Sequence, residues 1–205
     1  MQQFKAILET DSFYHIYNRA NGNEKLFLND DNYSYFLKRY NYYISPIAET
    51  FAYCLMPNHF HFLIKIKSDI DLLHLTGFEK LLSEEISNKL SLQFSNLFNS
   101  YTKSFNKQYN RSGNLFSRPF NRIKITNEKQ LKYTLNYIHQ NPVSHAYVKQ
   151  LSDWKFSSYS SFFTEKITKI NNKEVLDWFG DIENFEYYHN LKKAEDLAEE
   201  MSLFY

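Results

Sequence analysis

Residues 47–55 and 60–66 are two dense apolar runs separated only by Met56-Pro57-Asn58 and His59. A Pro-Asn step favours a tight turn, so the two runs read as an antiparallel hairpin. Both are apolar almost throughout, which places the hairpin at the centre of a sheet. Residues 12–19, Ser-Phe-Tyr-His-Ile-Tyr-Asn-Arg, are rich in strand formers and stop at Asn21-Gly22-Asn23, giving an earlier strand. Between the two, Tyr33, Phe36, Leu37, Tyr40 and Ile44 recur at helical spacing after Asp30-Asp31, which can cap the helix, and before Pro46.

Beyond a break near Gly77, the residues Ile86, Leu90, Phe94, Leu97, Phe98, Tyr101, Phe105 and Tyr109 step by three or four. They form one apolar stripe of a long helix that stops at Arg111-Ser112-Gly113-Asn114. Residues 118–125 alternate as a strand. Thr126 or Asn127 can cap a further helix running to about Gln140, where Asn141-Pro142 is expected to end it. The order strand, helix, strand, strand, helix, strand, helix predicts an α+β fold: an antiparallel sheet with helices packed on it, of the split βαβ or ferredoxin-like type. From Ser152 onward the pattern weakens to short helices, with an acidic helix expected from Asn190 to about Met201. The expected organisation is a catalytic domain over residues 1–160 and an acidic helical extension over 161–205 packed on it.

With 205 residues the chain can bury roughly 70% of its unfolded surface and needs no staple. Its core must be aromatic, since 17 Tyr, 19 Phe and 2 Trp are present. The single cysteine, Cys54, rules out an internal disulfide framework and points to a reducing compartment. Neither a signal peptide nor an apolar run of about 18 residues is evident, so the expectation is a cytoplasmic protein with no membrane partner.

The hairpin also carries chemistry. In Met56-Pro57-Asn58-His59-Phe60-His61-Phe62, strand alternation puts His59 and His61 on one face and Phe60 and Phe62 on the other. Two imidazoles on one face beside a turn can share a divalent metal and leave positions open for substrate. Spacing alone is equally met by two half-buried strand histidines bonded to backbone or solvent. On the helix before Pro142, Tyr133, Tyr137 and Asn141 are four apart and share a stripe. A phenol and an amide so placed can serve one site, and core aromatics followed by a helix stop give the same pattern.

The net charge is +1, but residues 103–132 hold eight Lys or Arg and only Glu128 among acids. Residues 174–205 hold nine acids against Lys192 and Lys193. A local basic stretch binds phosphate whatever the total charge, because screening limits electrostatic reach to about 8 Å. Phe105, Tyr109, Phe116 and Phe120 are interleaved with the basic residues and offer stacking faces to unpaired bases. Two solvated faces of opposite sign remain the plainer reading of charge alone.

Taken together, four blocks resemble the single-tyrosine HUH (IS200-like) transposases, in particular the REP-associated tyrosine transposases. They are Met56 to Ile64, Tyr101 to Phe116 with its Arg-Ser-Gly turn, Tyr137-Ile138-His139-Gln140-Asn141-Pro142-Val143, and Ser152-Asp153-Trp154-Lys155-Phe156-Ser157-Ser158-Tyr159. The resemblance runs in order from about Phe13 to Tyr159. It implies that His59 and His61 are metal ligands, that Tyr137 is the nucleophile and that Asn141 is the third ligand. Related transposases carry glutamine there, one methylene longer. The implied cofactor is Mg2+ or Mn2+, and the implied partner is single-stranded or hairpin DNA. Lys103, Lys107, Arg111, Arg118 and Arg122 are the candidates for holding the DNA backbone, and His15 and Arg19 border the site. His139, two residues from Tyr137, is expected to face away from it. The implied reaction is DNA nicking and strand transfer, by a monomer in preference to a homodimer. A relative that binds DNA or RNA hairpins without cutting, and a metal-dependent hydrolase built on the histidine pair, are the competing readings.

Overall fold

A computed structural model describes residues 6–79 and 82–191. Four strands, β1 (Phe13–Arg19), β2 (Ala48–Met56), β3 (His59–Ile66) and β4 (Asn121–Ile125), form one antiparallel sheet in the order β2-β3-β1-β4. The helices are α1 (Asp30–Tyr43), α2 (Asp69–Leu73), α3 (Ser83–Gln108), α4 (Glu128–Ser144), α5 (Asn172–Phe179) and α6 (Ile182–Leu191), with short 3-10 turns at Leu151–Asp153 and Tyr159–Phe163. This is the expected α+β arrangement, with the hairpin strand β3 at the centre beside β1. No helix among the described residues is long and apolar enough to cross a membrane.

The pleat divides the sheet into two faces with different tasks. Tyr14 and Ile16 of β1 and Phe60, Phe62, Ile64 and Ile66 of β3 are buried on the side covered by α1 and α3. There Phe36 of α1 lies among the rings of Phe27, Phe60 and Tyr101, at centroid distances of 5.4, 5.3 and 5.1 Å. Tyr40 stacks on Phe62 at 4.2 Å and bonds through its hydroxyl to Thr50 Oγ1 at 2.8 Å. The Tyr101 hydroxyl donates to the Leu26 carbonyl at 2.6 Å. Tyrosine can therefore fill this core without leaving a buried hydroxyl unpaired, which accounts for much of the aromatic excess.

The other face carries α4. Leu131, Leu135 and Ile138 of α4 pack with Ala52, Cys54, Met56 and Leu63, and Phe162, Val175 and Phe185 from beyond residue 160 belong to the same core. A bulge between Thr50 and Ala52 turns Phe51 onto this face, where it stacks on Trp178 of α5 at 5.3 Å. Cys54 is fully buried in this layer.

Three local expectations are corrected. Asn29, not Asp30 or Asp31, caps α1 by accepting from the Asn32 N–H, and the two aspartates occupy the first turn, where the helix dipole favours them. The strand β4 begins at Asn121, after a cis Arg118–Pro119 bond, rather than at Arg118. Helix α4 passes through Pro142 and ends at Ser144, with the His145 N–H bonded to the Asn141 carbonyl. Asn141 and Pro142 are both buried, and that burial outweighs the local bias against helix before proline. At Asn127 the expectation stands: its side chain accepts from the Gln130 N–H at 2.8 Å. The acidic helix expected from Asn190 to Met201 lies, beyond Leu191, outside the described residues.

Candidate active site

The turn between β2 and β3 is anchored by backbone bonds rather than by its own side chains. The Pro57 carbonyl accepts from Leu26 and Phe27, and the Asn58 carbonyl accepts from Ala20 at 2.7 Å. This fixes the start of β3, where His59 is half-buried and His61 only 6% exposed. Register pairs Arg19 with His59, Tyr17 with His61 and His15 with Leu63, so His15, Tyr17 and Arg19 of β1 share the face of the histidine pair. Helix α4 lies over that face and lowers Tyr137 and Asn141 onto it.

The resulting cluster is tight. His59 Nε2 lies 2.7 Å from Asn141 Oδ1, and His59 Nδ1 lies 2.8 Å from Asn58 Oδ1. The His61 ring centroid is 5.4 Å from that of Tyr137, near perpendicular, and 5.2 Å from that of His59. His15 Nε2 lies 2.9 Å from His61 Nδ1, with the rings stacked. Asn141 also bonds the Tyr137 phenol. Tyr137, Asn141, His59 and His61 are thus brought together, with His15 against His61 and the exposed Arg19 across from His59.

Electrostatics keep the imidazoles neutral. Burial pulls His61 well below the usual histidine range, helped by the neighbouring His15, His59 and His145, and burial alone holds His15 down to about 3. Burial also lowers His59 against the opposing bond from Asn141. Burial raises Tyr137, and the Asn141 bond partly offsets the rise.

This neutral state tests the site's capacity for a metal. A neutral imidazole has one N–H, yet both ring nitrogens of His59 face amide oxygens. If Nδ1 donates to Asn58, the Nε2 lone pair confronts Asn141 Oδ1 at 2.7 Å with no proton between them. A turned amide, or a cation held by both atoms, would resolve the conflict. His61, bonded through Nδ1, has no hydrogen-bond partner at Nε2 among the described residues. Two imidazole nitrogens and an amide oxygen are a chemically suitable donor set for Mg2+ or Mn2+. The amide is necessary to it, since no group of three His, Cys, Asp or Glu among the described residues could hold a metal.

Two neighbours were not singled out by sequence. His145 caps α4 with its ring 5.1 Å from His59, and Tyr17 stacks over His61 at 5.6 Å. Both signals were present: His145 extends the 133-137-141 stripe by one turn, and Tyr17 lies between His15 and Arg19 in the alternation. His139 does face away, into a buried network with His189 Nε2 and Ser158 Oγ, each at 2.9 Å.

The basic residues lie elsewhere. Lys103 and Lys107 are exposed on α3, and Arg122 points from β4 towards α3, where its Nη1 donates to Ser91 Oγ at 2.6 Å. This is the sheet face opposite Tyr137. Arg118 is exposed just before β4. Arg111 is occupied as a brace, paired with Glu24 and Asn106 at 2.5 Å each. Lys103, Lys107, Arg118 and Arg122 make no ion pair among the described residues.

No protein-family model matches the sequence. The chain is 35% identical over 72 residues to the REP-associated tyrosine transposase of Escherichia coli (strain K12), a match covering 35% of this chain and 40% of that one. It is 31% identical over 117 residues to the "Putative REP-associated tyrosine transposase" of Haemophilus influenzae, covering 54% and 58%. The matches thus span about half the length of these relatives. Among solved structures, a REP-associated tyrosine transposase bound to a REP hairpin superposes with a TM-score of 0.57 at 19% identity, over 80% of this chain and 87% of that one. In sequence the chain is similar to REP-associated tyrosine transposases, and it shares the fold of one.

Proposed function

We propose that this protein cuts and rejoins single-stranded or hairpin DNA through a covalent link at Tyr137. The observation that carries the reading is the convergence of the Tyr137 phenol, the Asn141 amide and the His59 and His61 imidazoles at one end of the sheet. The similarity to transposases and the solved hairpin complex of a protein of this fold point the same way.

In the proposed reaction the Tyr137 oxygen attacks a backbone phosphorus. A tyrosine–phosphate ester forms, the P–O bond to the 3′ oxygen breaks, and that oxygen leaves as a hydroxyl. One ester replaces another, so no nucleotide hydrolysis is required, and the resolving attack of a 3′ hydroxyl reverses the chemistry. A Mg2+ or Mn2+ ion held by His59, His61 and Asn141 would supply the positive charge that favours the phenolate and polarises the phosphate. The protein's own contribution is positional. Asn141 orients the phenol, which its hydrogen bond also makes more acidic. His15 occupies Nδ1 of His61 and so reserves Nε2 for the site. The open strand is needed because Tyr137 is half-buried beneath the sheet end and a duplex cannot bring its phosphate there.

Incubation with end-labelled hairpin DNA carrying a single-stranded flank, in Mg2+ or Mn2+, tests this. The expected result is a denaturant-resistant protein–DNA adduct mapping to Tyr137. Tight hairpin binding with no adduct under any metal assigns the protein instead to a binding role.

A further inference from the structure

The histidine face of the sheet holds a permanent positive charge beside Tyr137, and it comes from β1. Strand β2 has no Lys or Arg, and Arg122 and Lys124 of β4 point to the opposite face. Lys65 of β3 lies at the far end of the sheet, 3.8 Å from Asp11. Arg19, the last residue of β1, stands directly opposite His59, and the Cβ atoms of such a pair are about 4.5–5.5 Å apart. Its backbone is held firmly. The Arg19 N–H donates to Oδ1 of the buried Asn18 at 2.8 Å, and its carbonyl accepts from the Ser117 N–H at 2.9 Å. Asn18 donates in turn to the Ser117 carbonyl at 3.1 Å, and the Ala20 N–H donates to the Asn58 carbonyl at 2.7 Å. The end of β1 is thus tied to the turn before His59 and to the segment before β4. The side chain, by contrast, is exposed, and its guanidinium makes no hydrogen bond or ion pair among the described residues. Helix α4 packs chiefly on β2 and β3, and on the β1 side Tyr17 and its cross-strand neighbour Asn121 are half-buried.

We propose that Arg19 is a further catalytic residue of the cleavage reaction, its guanidinium donating to the non-bridging oxygens of the scissile phosphate while Tyr137 attacks. The inference rests on the cleavage reading above. A phosphodiester carries one negative charge, and attack by a phenolate brings a second to the phosphorus, where it gathers on the non-bridging oxygens. Tyr137 and Asn141 bring no positive charge, and imidazoles that serve as ligands offer lone pairs rather than protons. Among the residues gathered at the site, Arg19 is the one with a permanent positive charge. A guanidinium keeps its protons at any working pH, and its planar fork matches two phosphate oxygens. Arg19 forms and breaks no covalent bond in this step. Its work is electrostatic, and the anchored end of β1 sets the charge in place before the substrate arrives. A phosphate gripped between the end of β1 and the start of β3 has its phosphorus facing α4, which carries Tyr137.

The test is single-turnover adduct formation at saturating hairpin DNA, with full-length wild type, Arg19→Ala and Arg19→Lys. Arg19→Ala should lower the rate about a hundred- to a thousandfold while hairpin affinity stays within a few fold. Arg19→Lys keeps the charge but loses the fork, so its rate should fall between the two. A second substrate carries a methylphosphonate at the mapped scissile position. That group has no negative charge to neutralise, so Arg19→Ala should cut it within a few fold of the wild type. Guanidinium ion, added at a non-denaturing concentration to Arg19→Ala and the ordinary diester, should restore part of the lost rate. A merely structural role would respond to neither change. The assignment is overturned, and the proposed function left standing, by a wild-type rate in Arg19→Ala or by a loss that saturating DNA makes good. A deficit that neither methylphosphonate nor guanidinium narrows overturns it as well. Failure of the wild type to form an adduct with any hairpin overturns the proposed function itself.

Discussion

At the residue scale, the proposed reaction divides the side chains of the site into one that would react and those that would hold it in place. Tyr137→Phe removes only a hydroxyl, whose one identified bond is to Asn141. Adduct formation should vanish, while hairpin affinity and the melting temperature change little. Tyr133→Phe is the control on the same stripe and should form adduct at the wild-type rate. An adduct that survives Tyr137→Phe would falsify the assignment. The two histidines should behave differently although alternation makes them equivalent. His59 is half-buried, so His59→Ala should abolish metal-dependent cleavage with little loss of stability. His61 is buried and bonded to His15, so His61→Ala should abolish cleavage and also leave the buried His15 ring short of a partner, at about 1–3 kcal/mol. Urea denaturation of both variants beside the cleavage assay separates the two effects.

At the element scale, α4 carries Asn141 one turn beyond Tyr137 and continues past it to Ser144, so that Asn141 lies within the helix rather than at its end. The same helix is held from its other side by α6. His139 Nδ1 and His189 Nε2 lie 2.9 Å apart, His189 Nδ1 donates to the Phe185 carbonyl, and Gln140 Nε2 donates to the His189 carbonyl at 2.8 Å. With Nδ1 committed as a donor, neutral His189 accepts at Nε2. Burial lowers both rings, His189 to about 4. A histidine whose folded-state pKa is depressed binds a proton more readily when unfolded. Its stabilising contribution is therefore complete above its unfolded value and is lost as pH falls towards the folded one. For His189 that window is from about 6.5 down to about 4, and the loss is on the order of 3 kcal/mol. Thermal melts between pH 7 and 4 should show His189→Gln, which cannot titrate, losing less stability on acidification than the wild type. Parallel curves would mean that the contact does not sense pH.

At the scale of the whole molecule, the sheet separates the face that carries Tyr137 and the histidine pair from a basic one. Four basic side chains, Lys103, Lys107, Arg118 and Arg122, are free of carboxylates among the described residues, whereas Arg111 is committed to Glu24. If those four neutralise phosphates, the logarithm of hairpin affinity should fall with the logarithm of salt at a slope of about −3, from roughly −0.7 per phosphate on single strands. Arg111→Ala should scarcely alter the slope and should instead loosen the turn that it braces. A nearly flat salt plot would remove the basic stretch from the interface. Much of this was legible in the sequence, because it is written in local periodicity. Alternation alone puts His59 and His61 on one face, and helical spacing alone lines up Tyr137 with Asn141. The order of elements constrains the sheet. Pairing across the chain is not local, and three results depend on it: the seating of His15 against His61, the burial of His139 with His189, and the passage of α4 through Pro142. The side to which the basic residues belong is also a tertiary result. Arg122 and Ile123 are neighbours on a strand and so point to opposite sides, but only the packing of β4 between α3 and the histidine face decides which of them goes to which side.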